Sequence, residues 1–191
     1  MSDLIQGGEV RLFGTIVKHE YIWPEDTGLF SARMVSDALA GMQGDVTLVV
    51  NSDGGMPSEG EAIRAALEAH PGMVTVKVTG NAHSAASLMI MAADRIEMSA
   101  GSLMLIHDPS IGAYGNPASL AASAAELDVI AGAYAGVYAA RAGISPDAAR
   151  DIMRAETMLT AQSAVEAGFA DAVIAQPVTN AEDPAMSRAA A

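Results

Sequence analysis

Apolar strand-like segments and helix-like segments alternate along the first half of this 191-residue chain. The strand-like segments are 9–17, 45–50 and 73–79, and helical spacing of apolar residues marks 31–42 and 58–70 between them. Parallel strands need a long crossover connection, usually a helix, whereas antiparallel strands can be joined by a tight turn. The alternation therefore predicts an α/β fold built around a parallel sheet.

The second half of the chain continues this pattern with shorter strands and one long helix. We expect an apolar helix from Ser84 to about Ala93 and an alanine-rich helix over 118–142. The other predicted elements are strands at 95–98, 102–107 and 172–175 and helices at 146–155 and 161–167. We expect one domain over 9–176, with an N-terminal segment, 1–8, before it and a flexible tail, 177–191, after it.

The formal net charge of −13 excludes several classes of partner. Nucleic acids and anionic membranes need clustered Lys and Arg, so we expect no nucleic-acid or membrane partner. The chain has no cysteine, no metal-ligand spacing and no nucleotide motif, so we expect no metal and no cofactor. Met1–Gly8 lacks the basic and apolar parts of a secretory signal, and no apolar run reaches membrane-spanning length, which predicts a cytoplasmic protein.

Ser84 is the first candidate catalytic residue. It lies in Gly80-Asn-Ala-His-Ser84-Ala-Ala-Ser87, between a predicted strand end and an apolar helix. A helix N-terminus favours developing negative charge, so a serine there can act as a nucleophile. The segment departs from the usual Gly-x-Ser-x-Gly form, and the alternative is that Ser84 only caps the helix.

His107 is the second candidate. It ends the apolar run Leu103-Met-Leu-Ile-His107, directly before Asp108-Pro109. A histidine at a strand end can reach into a cleft and take the proton of a serine hydroxyl. The alternative is a hydrogen-bonded histidine of the core.

A third candidate is the segment Asn51-Ser-Asp-Gly54-Gly55, which follows a predicted buried strand. Paired glycines let the backbone turn its N–H groups toward a ligand, as in an oxyanion hole or a clamp for an extended substrate. The alternative is a plain tight turn, since no phosphate-loop or dinucleotide motif follows.

Together with Glu156-Thr-Met-Leu-Thr160-Ala-Gln and the Gly168-Phe-Ala-Asp171 ending, these segments resemble the ClpP-like serine peptidases. The Ser-Ala-Ala-Ser and Glu-Thr-x-Leu-Thr-Ala forms are more similar to the ClpP-related head maturation (prohead) proteases of tailed bacteriophages. The resemblance covers roughly 9–176. It implies the ClpP/crotonase-like spiral of β-β-α units, with 118–142 as a protruding handle helix.

The resemblance also implies roles for individual residues. Ser84 would be the nucleophile and His107 the general base, and the backbone N–H groups of Gly55 and Ala85 would form the oxyanion hole. A peptide would lie extended between Gly54 and the segment after His107, and the substrate-binding residues of that segment would be Ser110 and Ile111.

For the acid of the implied Ser-His-Asp triad, the resemblance leaves more than one alternative. Asp151 is the first choice, although it is one residue out of step with Thr160-Ala161, and Glu156 is the substitute. A Ser-His dyad is the third alternative. Asp53 stands where the family usually has proline, and His83 stands where a small residue is usual.

Family resemblance further implies a homo-oligomer of six or seven subunits in rings, often paired face to face with the active sites inside. Substrates would be proteins or peptides, and in the phage setting scaffold or capsid protein in the host cytoplasm. Whether an ATP-dependent unfoldase works with the ring is left open.

Other classes of function stay open at the level of sequence. A non-catalytic capsid-assembly or scaffold module needs no reactive serine, and a crotonase-type acyl-CoA enzyme needs no Ser84 and His107 pair. A Ser/Lys peptidase would need a suitably placed lysine, and the chain's lysines are Lys18 and Lys77. Labelling of Ser84 by a fluorophosphonate would distinguish the serine hydrolase from the scaffold.

Overall fold

Strands and helices alternate through residues 4–174, the part of the chain that the structure, a computed structural model, describes. Within it, the β-strands are β1 (Ile5–Gln6), β2 (Glu9–Ile16), β3 (Leu29–Phe30), β4 (Val46–Gly55), β5 (Val74–His83), β6 (Arg95–Ser99), β7 (Leu103–Ile106), β8 (Thr157–Thr160) and β9 (Ala172–Ile174). The α-helices are α1 (Ala32–Ala40), α2 (Pro57–Glu68), α3 (Ala85–Ile90), α4 (Pro117–Ala142), α5 (Pro146–Arg154) and α6 (Ala161–Glu166). A short 3-10 helix covers His19–Tyr21.

Parallel pairing dominates the sheet, as the sequence predicts. Its strand order is β1-β2-β4-β5-β6-β9, and each of the pairs from β2 to β9 along this path is parallel. Antiparallel pairing is confined to β1 with β2 and β7 with β8 within the described residues. The predicted α/β fold with a mainly parallel sheet is therefore confirmed.

Strand β5 has two neighbours on the same side, one after the other. Its first part pairs with β6 from Thr75 to Val78, and its last part pairs with β7 from Asn81 to His83. Strands β7 and β8 therefore form a separate branch of the sheet beside the end of β5, whereas β6 and β9 continue the sheet from its first part. The end of β5 is the point at which Ser84 begins the connection to α3.

Buried apolar side chains of the central strands and of α3 form the core. Every residue of α3 is buried. The helix packs closely against α2, because a side chain at Gly60 of α2 would clash with Ala85 of α3. Burial of this kind contributes about 25 cal/mol per Å² of apolar surface. Three helices begin at N-caps, because the hydroxyls of Ser31, Ser145 and Thr160 each accept a backbone N–H from the first turn of their helix.

The structure extends the predicted strands 45–50 and 73–79 through Asn51–Gly55 and Gly80–His83. Both segments continue β4 and β5, and the register between the two strands shifts between Val50 and Ser52. The Asn51 side chain accepts the backbone N–H of Asn81 at 2.9 Å, which fills the gap that the shift leaves in the ladder. Residues that favour turns are thus accommodated in a strand through a bulge.

Three short strands were not predicted. Strand β8 pairs with β7 with Ile106 opposite Thr157, and β3 pairs with the end of β2. Strand β1 also pairs with β2, although it falls in the expected N-terminal segment, 1–8. Strands of two to four residues carry no measurable alternation, so their existence depends on their partners. The predicted tail, 177–191, and Ala175 of the predicted last strand lie outside the described residues.

Helix α4 is long and only partly covered by the rest of the chain. Its buried residues, Ala131, Ala135, Tyr138 and Ala139, lie in its C-terminal half, while Val129 is 75% exposed. By length and composition alone the helix could cross a membrane, since an 18-residue window has a mean hydropathy of 1.3 and is 11% buried. The helix is not an unbroken apolar run, because Glu126 and Asp128 lie within it, so it does not contradict the expectation drawn from the sequence. An exposed apolar surface of this kind is typical of a contact surface.

Candidate active site

Ser84 occupies a strained backbone position between β5 and α3. Its φ of 56° and ψ of −125° are unusual for a residue with a side chain, and such positions cost about 1–3 kcal/mol unless their surroundings hold them. Here the Ser84 N–H donates to the Leu105 carbonyl at 2.9 Å, and the Ser84 carbonyl accepts from the N–H groups of Ser87 and Leu88. The Ser84 side chain makes no capping hydrogen bond to α3.

The Ser84 hydroxyl instead contacts His107. His107 Nε2 lies 2.7 Å from Ser84 Oγ, a normal hydrogen-bond distance. His107 follows β7 directly, and the pairing of His83 with Leu105 between β5 and β7 brings the two strand ends together. A histidine in this position can accept the hydroxyl proton when the serine attacks an electrophile.

An ion-pair network holds the segment that carries His107. Arg150 of α5 donates to the carboxylate of Asp108, the next residue after His107, and to Asp128 of α4 at 2.9 Å. Hydrogen bonding to Asp108 raises the pKa of Arg150 above its usual value, and Asp128 adds to the shift. The loop after β7 is thereby fixed to two helices.

The structure does not place Asp151 beside His107. Its side chain is 79% exposed and pairs with Arg154 of the same helix at 3.6 Å. The buried face of α5 is formed by Ala149 and Met153, and Asp151 lies midway between them in sequence, on the opposite face of a 3.6-residue helix. Within the described residues no hydrogen bond or ion pair joins Asp151 to His107, and the triad through Asp151 stays a prediction.

Glu156 lies closer to His107 along the sheet. Ile106 pairs with Thr157, so His107 and Glu156 are the next residues outward along antiparallel β7 and β8. Glu156 has a φ of 48°, and it and Ser84 are the non-glycine residues with positive φ in the described chain. Its side chain is exposed, and no hydrogen bond joins it to His107 within residues 4–174.

The glycines of the Asn51–Gly55 segment bring the end of β4 against the Ser84 turn. A Cβ on Gly54, whose φ is 94°, would lie 2.5 Å from the His83 carbonyl oxygen and 2.8 Å from Ser84 Cβ. A Cβ on Gly55 would likewise clash with the backbone of Ile16 in β2. The Ala85 N–H opens α3 and has no acceptor within that helix. The oxyanion hole formed by the N–H groups of Gly55 and Ala85 stays a prediction, and the approach of β4 to the Ser84 turn is compatible with it.

The expected substrate segment after His107 is exposed. Ser110 is exposed and Ile111 is 55% exposed, and the loop that holds them joins β7 to α4 without strand pairing in the described chain. A small, mostly apolar recess opens beside the Ser84 and His107 pair. It is lined by Pro57, Ala85, Leu88, Pro109, Tyr134 and Tyr138 together with that pair.

The two unusual residues of the sequence, Asp53 and His83, contact each other. His83 Nδ1 lies 3.3 Å from Asp53 Oδ1, and Asn81 donates to the same oxygen at 2.7 Å. Burial lowers the pKa of His83, Asp53 opposes this, and nearby His107 adds to the lowering. His83 Nε2 is buried without a hydrogen-bond partner among the described residues.

Sequence reasoning missed the contact between Ser87 and Tyr138. Their hydroxyls lie 2.8 Å apart and are buried, although the two residues are 51 positions apart. The available signal is a tyrosine on an apolar helix, because a buried tyrosine hydroxyl usually has a partner. Within residues 4–174, no three His, Asp or Glu side chains are grouped as a metal would need.

A family comparison agrees with this geometry. The family model described as Clp protease matches residues 25–177, which is more than half of the chain and includes Ser84, His107 and Glu156. The chain therefore belongs to the Clp protease family and is a ClpP-type peptidase.

Proposed function

We propose that this peptidase is a serine endopeptidase in which Ser84 is the nucleophile and His107 the general base. The observation that carries the proposal is the 2.7 Å contact between His107 Nε2 and the hydroxyl of a serine held in a strained turn. A crotonase-type acyl-CoA enzyme or a scaffold module has no use for this pair. The geometry therefore favours the peptidase over both alternatives.

The reaction follows from the positions of the two side chains. Ser84 Oγ attacks the carbonyl carbon of the peptide bond while His107 Nε2 takes the hydroxyl proton. The oxyanion that forms is stabilised by the N–H groups of Gly55 and Ala85. His107 then gives the proton to the leaving amine, and an acyl ester remains on Ser84. Water, deprotonated by His107, hydrolyses the ester and restores the free serine.

Glu156 is the carboxylate that we propose to orient His107. The register of β7 and β8 and the positive φ of Glu156 support it over Asp151, which faces solvent from α5. Strained residues concentrate at functional sites, and Glu156 shares this property with Ser84. Its carboxylate would turn toward His107 Nδ1 when substrate or a neighbouring subunit covers the loop.

An extended peptide would bind between the Gly54 edge of β4 and the loop of Ser110 and Ile111. An unpaired peptide backbone can add to a sheet edge in this way. The recess between Leu88 and Tyr134 would take the side chain on the acyl side of the cut bond, and its small size supports a small apolar residue there.

The ring is the proposed setting of the reaction. Members of the family typically form oligomeric rings, and the bare apolar surface of α4 is suited to a neighbouring subunit. We propose six or seven subunits per ring, the spiral fold of the family, and α4 as its handle between paired rings. The forms Ser84-Ala-Ala-Ser87 and Glu156-Thr-Met-Leu-Thr160 support a phage prohead protease acting on scaffold or capsid protein in the host cytoplasm.

The test is labelling of the purified protein with a fluorophosphonate, followed by mass-spectrometric mapping of the modified residue. Label on Ser84 that is lost in Ser84→Ala and strongly reduced in His107→Ala supports the proposal. Light scattering on the same sample gives the oligomeric state. An oligomer that takes no label would contradict the serine mechanism and favour the scaffold module.

A further inference from the structure

We propose that Tyr138 of α4 and Ser87 of α3 are positioning residues that hold the backbone of the nucleophile and of the strand before the general base. The inference builds on the proposed function, because it concerns how Ser84 and His107 are kept in register. It starts from the Ser87 hydroxyl, which lies 2.8 Å from each of three oxygens: the Ser84 carbonyl, the Leu105 carbonyl and the Tyr138 hydroxyl.

The direction of these hydrogen bonds follows from the number of protons. Carbonyl oxygens only accept, and the Ser87 hydroxyl has a single proton to give to the Ser84 or the Leu105 carbonyl. Tyr138 must then donate its own proton to Ser87 Oγ. Tyr138 therefore donates to Ser87, and Ser87 donates to a backbone carbonyl. Each of the two hydroxyl protons thus takes part in a hydrogen bond.

The state of the Tyr138 hydroxyl agrees with a donor role. The side chain is 2% exposed, and burial raises the pKa of Tyr138 far above its usual value. The phenol therefore stays neutral and keeps its proton. The ring is fixed separately, by an edge-to-face contact with Phe169 at 6.1 Å between centroids.

The two carbonyls belong to the two segments that carry the catalytic pair. The Ser84 carbonyl is part of the strained turn itself, and Leu105 lies two residues before His107 in β7. The Leu105 carbonyl also accepts the Ser84 N–H at 2.9 Å, so one oxygen is shared by the turn and by Ser87. Displacement of the Ser87 hydroxyl would loosen both segments at once.

The test compares Tyr138→Phe, Ser87→Ala and the double variant with the wild type. Tyr138→Phe keeps the ring on Phe169 and removes only the hydroxyl, and Tyr21→Phe, on the exposed 3-10 helix, is the matched control. The rate constant and the apparent affinity for fluorophosphonate labelling of Ser84 are measured separately, well below the melting temperature of each variant.

We expect each single variant to lower the labelling rate constant about tenfold or more, because small displacements of a nucleophile slow its attack. Ser87→Ala, which does not line the recess beside Ser84, should leave the affinity unchanged. The double variant should be no slower than the slower single one, since the two hydroxyls act in series. Hydrogen exchange at the Ser84 amide should be faster in all three.

The outcomes separate this inference from the proposed function. No labelling of the wild type overturns the proposed function. Normal labelling of both wild type and Tyr138→Phe overturns the positioning role alone, even when the melting temperature falls. Single effects that multiply in the double variant overturn the relay through Ser87.

Discussion

Arg150 donates a hydrogen bond to Asp108, the residue directly after His107, and it does so from a guanidinium whose side chain is 13% exposed. The same guanidinium reaches Asp128 on α4. Two carboxylates from different elements are thus held by one cation. His107, the proposed general base, is therefore held through the residue next to it in sequence as well as by its own contact with Ser84.

Replacement of this arginine should release the His107 loop. We expect Arg150→Ala to lower the rate of Ser84 labelling about tenfold, because the base loses its fixed position. The free energy of unfolding should fall by only about 1 kcal/mol, as is usual for ion pairs near the surface. Arg33→Ala removes an exposed arginine that pairs with Asp37 at 3.9 Å and serves as the control. Equal rates for both variants would contradict the role.

The acid beside His107 can be identified by a matched pair of substitutions. We expect Glu156→Gln to lower the labelling rate by about 10²-fold or more, because loss of the carboxylate removes the partner that orients the imidazole. Asp151→Asn should have a much smaller effect, since that carboxylate is 79% exposed and pairs with Arg154. The opposite order of effects would restore Asp151 as the triad acid, and two small effects would indicate a Ser-His dyad.

Gly54 should tolerate no side chain. We expect Gly54→Ala to abolish labelling and to destabilise the fold by about 1–3 kcal/mol, because the new Cβ would meet the His83 carbonyl and Ser84 Cβ at a φ of 94°. Gly101→Ala is the control, since nothing lies within 4 Å of its Cβ position. Labelling and thermal unfolding of both variants provide the measurement. An active Gly54→Ala protein would show that β4 does not approach Ser84 this closely.

His83 should make stability depend on pH in a defined direction. Because burial lowers the pKa of His83, the unfolded chain binds a proton at a higher pH than the folded chain does. Its contribution is therefore fully present above about pH 6.5, the usual histidine value, and is lost as the pH falls toward the folded pKa. We expect the drop in Tm on acidification to be smaller in His83→Gln than in the wild type. An unchanged drop would contradict the lowered pKa of His83.

The strain at Ser84 should be measurable as stability. Glycine adopts a φ of 56° without a steric penalty, whereas alanine still has a Cβ and therefore still has the penalty. We expect Ser84→Gly to be more stable than Ser84→Ala by about 1 kcal/mol, with both inactive. Chemical denaturation of the two variants gives the difference. Equal stability would mean that the turn is not strained.

Periodicity predicted most of the fold because its signals are local. The buried run Val46–Val50 and the helical spacing in α1 need only their own residues to be recognised. The extension of β4 through Asn51–Gly55 could not be predicted in this way. Its residues favour turns, and the Asn51 side chain stabilises the strand only because Asn81 lies opposite.

The candidate site shows the same division. Ser84 and His107 stand at strand ends within recognisable motifs, so their sequence context is informative. Asp151 was the first choice from the resemblance, and a position in the sequence does not give the rotation of α5, which leaves this side chain 79% exposed. The Ser87 and Tyr138 contact joins residues 51 positions apart, and it exists only once α4 lies on α3.

The lengths of the outer strands have a consequence for solubility. Strands β3, β8 and β9, each of which pairs with one other strand among the described residues, have two, four and three residues. Short edges present few unpaired backbone groups, which limits pairing with other copies of the chain and hence aggregation. The edge proposed to bind extended peptides, at Gly54 of β4, is separate from these short strands.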